Sequence, residues 1–216
     1  MAAEMNQQRR CVIIAGAPNA DTAFLAQTVQ PEDYLICADR GYAAATAAGL
    51  RPDLIVGDFD SYGGALPDDC EVVRLCPEKD DTDTMHCVDL ALERGFREFL
   101  LLSALGGRLD HSIANLCIAE YLEEHGARCT LLSRSEEIRL LTEGRCTLNG
   151  CRGLTFSVFP FGCQRVTLSY EGAYYPLTNG TLTHSFPMGV SNVFTADSAH
   201  ITVHSGRALL LINKKT

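Results

Sequence analysis

The sequence lacks the patterns that mark secreted, disulfide-bonded or membrane-spanning proteins. None of its ten cysteines forms a CxxC pair, and several lie in apolar runs such as Cys11–Ile14, which is typical of buried reduced thiols rather than a disulfide framework. The polar segment 1–10 has no apolar core of a signal peptide. No apolar stretch approaches the ~18 residues that a bilayer span needs. We therefore expect a cytoplasmic protein with no membrane partner.

Several nucleotide-binding and catalytic motifs are also missing. The chain has no Walker A sequence, and Gly16-Ala17-Pro18-Asn19 is too short for the glycine fingerprint of dinucleotide-binding proteins. A Gly-x-Ser-x-Gly elbow and a His-Glu-x-x-His zinc motif are absent as well. Because no motif pairs a nucleophile with a base, we expect no covalent enzyme intermediate.

The chain is acidic, with a formal net charge of -9 at pH 7. Because this charge repels phosphate backbones, it argues against a nucleic-acid partner. A small phosphorylated ligand remains compatible with it, since a bound cation inverts the local field. With 46% hydrophobic and 21% charged residues, the chain has enough apolar material for a folded core.

Two patterns of secondary structure divide the chain. Residues 10–135 alternate short apolar runs with helical patterns, which predicts an α/β domain with a Rossmann-like parallel sheet flanked by helices. Residues 136–216 contain short β-rich runs between turn signals such as Asn149-Gly150, which predicts a small antiparallel β-sandwich or barrel. We place the boundary within Ser133–Glu143.

Four acidic or glycine-rich motifs stand where predicted strands end, at the usual ligand edge of an open α/β sheet. One of them places Asp58 and Asp60 directly after the apolar run Leu54–Val56. In an extended backbone both carboxylates point the same way, with Phe59 turned inward. Such a pair suits Mg²⁺, which takes hard oxygen ligands and bridges to phosphates. A polar turn with solvated carboxylates is the alternative.

A second acidic motif, Asp80–Asp83, packs three carboxylates into four residues before a predicted helix. Thr82 or Asp81 suits the N-cap position, and Asp83 suits the positive end of the helix dipole. Capping needs only one or two of these groups, whereas three like charges crowd unfavourably without a cation. We therefore predict a ligand role for at least one aspartate, with Lys79 offsetting their charge or contacting a phosphate.

The glycine-rich motif Gly106–His111 follows the apolar run Phe99–Leu102. Glycines at this place allow the backbone to approach a phosphate, and Arg108 suits a two-pronged phosphate contact. A tight strand–helix turn in which Asp110 caps the helix is the alternative.

In this order and spacing, the motifs resemble the thiamine pyrophosphokinase family. The resemblance runs from about residue 11 to residue 212 and includes both halves of the chain. The matching stretches are Ala38–Gly41, Pro52–Ser61, Lys79–Asp83, Gly106–His111, Gly172–Leu177 and Gly189–Asn192.

The resemblance implies a reaction, a fold and an assembly. Such enzymes transfer the pyrophosphoryl group of ATP to the hydroxyethyl arm of thiamine, giving thiamine diphosphate and AMP. The implied fold is an α/β nucleotide-binding catalytic domain followed by a β-sandwich thiamine-binding domain. The implied assembly is a homodimer with active sites at the subunit interface.

The resemblance also implies roles for individual residues. The implied Mg²⁺ ligands are Asp58, Asp60 and Asp83. The positions implied near the nucleotide and its transferred phosphates are Asp39, Arg40, Lys79, Thr82, Arg108 and Asp110. Of these, Asp110 is also a candidate to orient or deprotonate the thiamine hydroxyl. Ser191 and Asn192 match the segment that meets thiamine from the partner chain.

Two features of the sequence bear on how thiamine is contacted. Val193 follows Asn192 at a position where many relatives carry an acidic or polar residue. The chain also has no tryptophan, so aromatic stacking on thiamine falls to a tyrosine or phenylalanine. Tyr175 is the candidate, and a buried strand tyrosine is the alternative for it.

Two other functions are compatible with the same clusters. One is a nucleotide or thiamine sensor without catalysis, although a binding module need not keep three metal carboxylates. The other is a metal-dependent phosphohydrolase. Release of AMP from ATP and thiamine distinguishes the kinase from the sensor, and phosphate release without thiamine favours the hydrolase.

Overall fold

The structure is a computed structural model that describes residues 9–18, 20–59, 67–68, 70–76 and 81–214. The chain divides into two compact units, Met1–Ser133 and Arg134–Thr216.

The first unit is built on parallel strands. Within its described residues these are β1 (Arg10–Ile14), β2 (Tyr34–Ala38), β3 (Leu54–Gly57), β4 (Glu71–Arg74), β5 (Glu98–Leu102) and β6 (Arg128–Leu132). They lie side by side in the order β4-β3-β2-β1-β5-β6, and every pairing is parallel. The chain adds strands outward from β1 to β4 and then crosses to the other side of β1. The crevice between β1 and β5 is therefore a switch point, the usual ligand site of such sheets.

Helices connect these strands. They are α1 (Thr22–Thr28), α2 (Gly41–Ala47), α3 (Asp83–Glu93) and α4 (Leu109–Glu124). Asp21 caps α1 by accepting the Phe24 N–H at 2.9 Å, and Thr82 caps α3 by accepting the Met85 N–H at 3.2 Å. Helix α3 begins at Asp83, at the end of the acidic motif Asp80–Asp83, where the sequence predicts a helix.

Helices pack on both faces of the parallel strands. On one face, Val12, Ile14 and Leu35 form a buried cluster with Leu25 of α1 and Tyr42 of α2. Burying an aliphatic side chain such as that of Leu25 contributes about 2 kcal/mol to the stability of the fold. Alternate residues of the same strands point the other way. There α3 contacts β1, β2 and β3, and α4 contacts β6.

The cysteines are all free, and half of them are buried as the sequence predicts, whereas Cys76 and Cys117 are exposed. Cys11, Cys37 and Cys87 are buried in the first unit. Burial raises the pKa of each of these thiols above its usual range, so they stay protonated and act as small apolar side chains.

The second unit is antiparallel, and no helix occurs in residues 134–214. Its strands are β7 (Glu136–Leu141), β8 (Gly144–Asn149), β9 (Thr155–Pro160), β10 (Arg165–Glu171), β11 (Leu177–Thr183), β12 (Asn192–Val193), β13 (Ser198–Ser205) and β14 (Ala208–Asn213). They form two groups, in the orders β12-β9-β14-β7 and β11-β10-β13-β8. One buried core includes residues of both groups, such as Phe156 and Leu210 of the first and Leu168 and Ile201 of the second.

No helix in the described residues is both long enough and apolar enough to cross a membrane.

Candidate functional site

A cavity of about 670 Å³ lies at the carboxyl ends of the parallel strands of the first unit. Its walls come from the residues after β1, β2 and β5 and from the first turns of α3 and α4. Five of the predicted site residues line it: Asp39, Arg40, Thr82, Asp83 and Arg108. The fold therefore brings three separate sequence motifs to one cavity, because parallel strands end at the same edge of a sheet.

The turn from β2 into α2 places Asp39 beside this cavity. Its N–H donates to the Val56 carbonyl of β3 at 2.8 Å, and its carbonyl accepts the Tyr42 N–H at 3.1 Å. Gly41 lets α2 start close to the sheet, since a Cβ there would lie 2.0 Å from the carbonyl oxygen of Ile14. The small residue in this motif is thus a packing requirement of the site.

Left-handed backbone at non-glycine residues recurs along this edge. Asp39, Phe59 and Ser103 have φ angles of 43°, 59° and 50°, and they follow β2, β3 and β5. Such conformations cost of the order of 1 kcal/mol or more and concentrate at functional sites. The extended backbone assumed for the Asp58 segment is therefore wrong at Phe59. The ring of Phe59 is nevertheless buried as predicted, with the Arg74 guanidinium 5.4 Å from its centroid.

Asp39 interacts electrostatically with two other carboxylates, those of Asp83 and Asp58. Burial raises the pKa of Asp39 above its usual range, and the negative charges of Asp83 and Asp58 raise it further. Its Oδ1 atom is buried and has no hydrogen-bond partner. A buried, unsatisfied carboxylate oxygen close to two like charges is unfavourable unless a cation offsets it. This donor set consists of hard oxygen atoms, so it fits Mg²⁺.

The other predicted metal ligand, Asp60, lies outside the described residues, as does Lys79. Within the part of the chain that the structure describes, no three acidic, histidine or cysteine side chains are gathered into a complete metal cluster. Mg²⁺ commonly keeps several waters and uses substrate phosphates as ligands, so one or two protein carboxylates are compatible with binding.

The glycine-rich turn after β5 packs tightly against the turn after β1. Gly106 and Gly107 have φ angles of 92° and 70°, and a Cβ at Gly107 would lie 2.6 Å from Cδ of Pro18. Gly107 allows this turn to pack against the Pro18 ring at the switch point between β1 and β5, whereas a Cβ at Gly106 would meet open space. A phosphate can approach the backbone closely there.

Arg108 at the start of α4 is held by Asp110. The guanidinium donates from Nε to Oδ1 at 3.1 Å and from Nη2 to Oδ2 at 2.5 Å, and both side chains are exposed. The hydrogen bonds from Arg108 lower the pKa of Asp110 below its usual range. Arg108 itself occupies the N-cap position, and no side chain caps the helix. Asp110 instead accepts the His111 N–H at 2.9 Å and is not among the residues that line the cavity.

Asn115 lines the cavity, although no motif of the sequence singled it out. Asn115 of α4 is buried, and its Nδ2 donates to the Ala104 carbonyl at 2.7 Å, which ties the helix to the turn after β5. The helical spacing of Asn115 with the buried Ile118 and Leu122 is the signal that could have found it. Asp81 also lines the cavity, and its Oδ1 lies 2.7 Å from Nε2 of His86. Spacing alone did not single out that pair.

The predicted thiamine residues lie in the second unit. Asn192 is 7% exposed, and its side chain bonds to the backbone of Tyr175, whereas the Tyr175 ring is 65% exposed. The alternative of a buried strand tyrosine is therefore wrong. Ser191 has a left-handed backbone with a φ of 60°, and its N–H donates to Oγ of Ser157 at 3.1 Å.

Large apolar side chains are exposed in both units. In the second unit they cluster in sequence between residues 174 and 190, in the segments that flank the predicted thiamine residues. These are Tyr174, Tyr175, Phe186, Met188 and Val190. In the first unit, Leu109 and Ile113 lie one turn apart on α4 and are 75% and 50% exposed.

Comparison with known proteins gives consistent matches in sequence and structure. The family model "Thiamin pyrophosphokinase, catalytic domain" matches residues 25–131, and "Thiamin pyrophosphokinase, vitamin B1 binding domain" matches residues 145–210. A thiamine pyrophosphokinase of Bacillus subtilis (strain 168) is 25% identical over 188 residues, which cover 83% of this chain and 87% of that protein.

Two further comparisons extend this result. Thiamine pyrophosphokinase 1 of Oryza sativa subsp. japonica is 26% identical over 170 residues, covering 72% of this chain and 64% of the longer rice protein. The crystal structure of the Bacillus subtilis thiamine pyrophosphokinase shares the fold, with a TM-score of 0.87 at 21% identity and coverage of 96% of this chain and 100% of that one. Because both domain models match in order along most of its length, the chain belongs to the thiamine pyrophosphokinase family.

Proposed function

We propose that the protein is a thiamine diphosphokinase that transfers the pyrophosphoryl group of ATP to thiamine and releases AMP. The single observation that carries this proposal is the carboxylate arrangement around Asp39. Its buried, unsatisfied Oδ1 lies in a cavity that also contains Asp83, with the charge of Asp58 nearby. A cation would stabilise such a site, and a cation at the switch point of a parallel sheet suits a phosphorylated ligand. Family membership supplies thiamine as the acceptor.

Mg²⁺ is the cation that we propose for this site. Asp58, Asp60 and Asp83 would hold it, with Asp39 adding negative charge beside them. When bound, Mg²⁺ offsets the negative charge on the transferred phosphates and on the departing AMP.

The remaining phosphate contacts come from the backbone and from basic side chains. We propose that the turn containing Gly106 and Gly107 approaches the phosphates and that Arg108 and Lys79 add fixed positive charge. In-line transfer then needs positioning and charge neutralisation and no covalent enzyme intermediate. We include Arg40 and Thr82 in the proposed nucleotide site because both line the cavity.

Asp110 is better suited to orienting than to deprotonating. Its pKa is lowered by the hydrogen bonds from Arg108, and a weakly basic carboxylate is a poor proton acceptor near neutral pH. We propose that Asp110 holds the Arg108 guanidinium towards the phosphates and, through its charge, helps to orient the thiamine hydroxyl.

We propose that three residues of the second unit take part in thiamine binding, two by direct contact and one indirectly. The Ser191 hydroxyl and the exposed Tyr175 ring contact thiamine. Asn192 acts indirectly, because its amide oxygen and nitrogen are already bonded to the backbone of Tyr175.

We further propose a homodimer with active sites at the subunit interface. The exposed apolar side chains of the second unit and the exposed Leu109 and Ile113 of the first support this assembly, because apolar groups of that size commonly mark interfaces. We also propose that the two antiparallel groups form a sandwich, since one core includes side chains of both. A Rossmann-like arrangement of the first unit is proposed from its strand order. The ten free cysteines support a cytoplasmic location.

The test is incubation of the purified protein with ATP, Mg²⁺ and thiamine, with the products separated by chromatography. We expect thiamine diphosphate and AMP in equal amounts, no product with EDTA, and recovery when Mg²⁺ is restored. Phosphate release without thiamine would instead identify a hydrolase. Binding of both ligands without any product would identify a sensor.

A further inference from the structure

A histidine close to the start of α3 contacts the aspartate that precedes the helix cap. Thr82 is the N-cap of α3, so Asp81 stands one residue before the N-cap and His86 is the fourth residue of the helix. The Nε2 atom of His86 lies 2.7 Å from Oδ1 of Asp81, and the two side chains are only 32% and 39% exposed. The His86 N–H also donates to the Thr82 carbonyl at 3.1 Å.

This pair occupies the positions of a helix staple. In many helices, the residue before the N-cap packs against the fourth helical residue, and this contact fixes the angle at which the chain enters the helix. The usual pair is apolar, whereas Asp81 and His86 form a polar equivalent. A histidine near a helix N-terminus gains nothing from the helix dipole. The contact with Asp81 is therefore the interaction that accounts for His86 at this position.

The staple acts on residues of the cavity. Asp81, Thr82 and Asp83 all line it, and they are the three residues whose direction the staple sets. His86 is itself absent from the cavity lining. It can therefore influence a ligand there only through the segment that it holds.

We propose that His86 is a positioning residue for nucleotide binding. Through its contact with Asp81, it fixes the path of residues 81–83 and so places the Asp83 carboxylate for a magnesium–nucleotide complex. This inference rests on the proposed function of the cavity and adds to it a residue outside the motifs that suggested that function.

The test measures binding of a non-hydrolysable ATP analogue with Mg²⁺ by calorimetry, using the wild-type chain and variants of the pair. We expect His86→Ala to weaken binding about two- to fivefold, because it removes one partly exposed hydrogen bond that holds the segment. The same substitution should have no further effect in the Asp81→Ala background. His86→Gln should restore most of the affinity, because its side-chain amide can still donate to Asp81. In turnover assays of His86→Ala, the KM for ATP should rise while the KM for thiamine stays unchanged.

Tyr121→Phe is the matched control. The Tyr121 hydroxyl donates to Oδ1 of Asp89 at 2.8 Å, so this variant removes a contact to the same helix away from the cavity. It should leave nucleotide affinity unchanged. Equal weakening by Tyr121→Phe, failure of His86→Gln to restore binding, or an additive loss in the double variant would each overturn the proposal. Wild-type protein that binds the nucleotide but makes no thiamine diphosphate would refute only the proposed function. Wild-type protein that does not bind it would refute both.

Discussion

The side-chain amide of Asn192 bonds to both backbone polar groups of Tyr175. Its Oδ1 accepts the Tyr175 N–H at 3.0 Å, and its Nδ2 donates to the Tyr175 carbonyl at 2.8 Å. The same Oδ1 also accepts the Val193 N–H at 2.8 Å. Asn192 thus fixes a segment 17 residues away in the sequence and leaves the Tyr175 ring exposed, which is the arrangement of a support under a ligand-contacting side chain.

Replacing Asn192 tests this role. Asn192→Ala removes all three bonds and leaves partly buried backbone groups without these partners, so we expect the free energy of unfolding to fall by about 1–3 kcal/mol. If the proposed thiamine site is correct, the KM for thiamine should rise more than the KM for ATP. Urea unfolding and steady-state kinetics measure the two effects. Asn149→Ala at the exposed end of β8 is the control and should change stability by less than about 0.5 kcal/mol. An equal rise in both KM values would contradict the assignment.

Replacing Asp83 tests its role in turnover separately from its effect on stability. Asp83→Asn removes a carboxylate from the cavity and, with it, one of the charges that raise the pKa of Asp39. We expect turnover to fall by at least about 100-fold, since charge stabilisation of the transferred phosphates is lost. In the absence of Mg²⁺, we expect only a small change in stability, because the relief of like-charge repulsion is offset by the loss of a favourable charge at the helix N-terminus. Activity assays and thermal unfolding in EDTA measure both. A variant with normal turnover would refute the metal role of Asp83.

The raised pKa of Asp39 predicts a pH dependence of stability. Its ordinary value is 3.8, and the folded protein holds this proton more tightly than the unfolded chain does. The resulting stabilisation is present below pH 3.8 and is lost as the pH rises through the raised folded-state pKa. Without Mg²⁺, Asp39→Asn should therefore be more stable than the wild-type protein at pH 7, with an advantage that shrinks towards pH 4.

Thermal unfolding at several pH values in this range measures that advantage. Asparagine tolerates the left-handed backbone at this position, so the substitution keeps the turn. Adding Mg²⁺ should reduce the difference at pH 7, because the cation stabilises the wild-type protein that binds it. An advantage of equal size at pH 4 and pH 7 would point to the backbone instead of the charge.

Gly41 tests the close approach of α2 to the sheet. Gly41→Ala places a Cβ 2.0 Å from the Ile14 carbonyl oxygen, so α2 must shift away from β1. We expect a loss of about 3 kcal/mol or more, despite the better helix propensity of alanine. Gly49→Ala is the control. Gly49 has a φ of 71° and open space around it, so alanine there brings backbone strain of about 1 kcal/mol and no clash. Equal losses in the two variants, measured by urea unfolding, would contradict the packing explanation.

The sequence by itself determined the order of elements and the chemistry of the site. Apolar runs in the sequence predict the parallel strands, because strands that are buried on both faces of a sheet consist largely of apolar residues. Helical periodicity of the apolar residues predicts α3. The position of Asp39, Asp83 and Arg108 at strand ends or helix starts followed from the same pattern. Their meeting in one cavity followed from parallel pairing. The identity of thiamine came only from the family resemblance.

The tertiary structure decided which polar atoms of these residues already have partners. Asn192 turned out to bind the backbone of Tyr175, Asp110 to hold Arg108, and His86 to hold Asp81. The left-handed backbone at Phe59 also replaced the extended geometry that the sequence suggested. Whether a hydrogen bond forms depends on differences of a few tenths of an ångström in the donor–acceptor distance and on side-chain direction. A linear pattern of residue types carries neither, so these relationships became visible only in three dimensions.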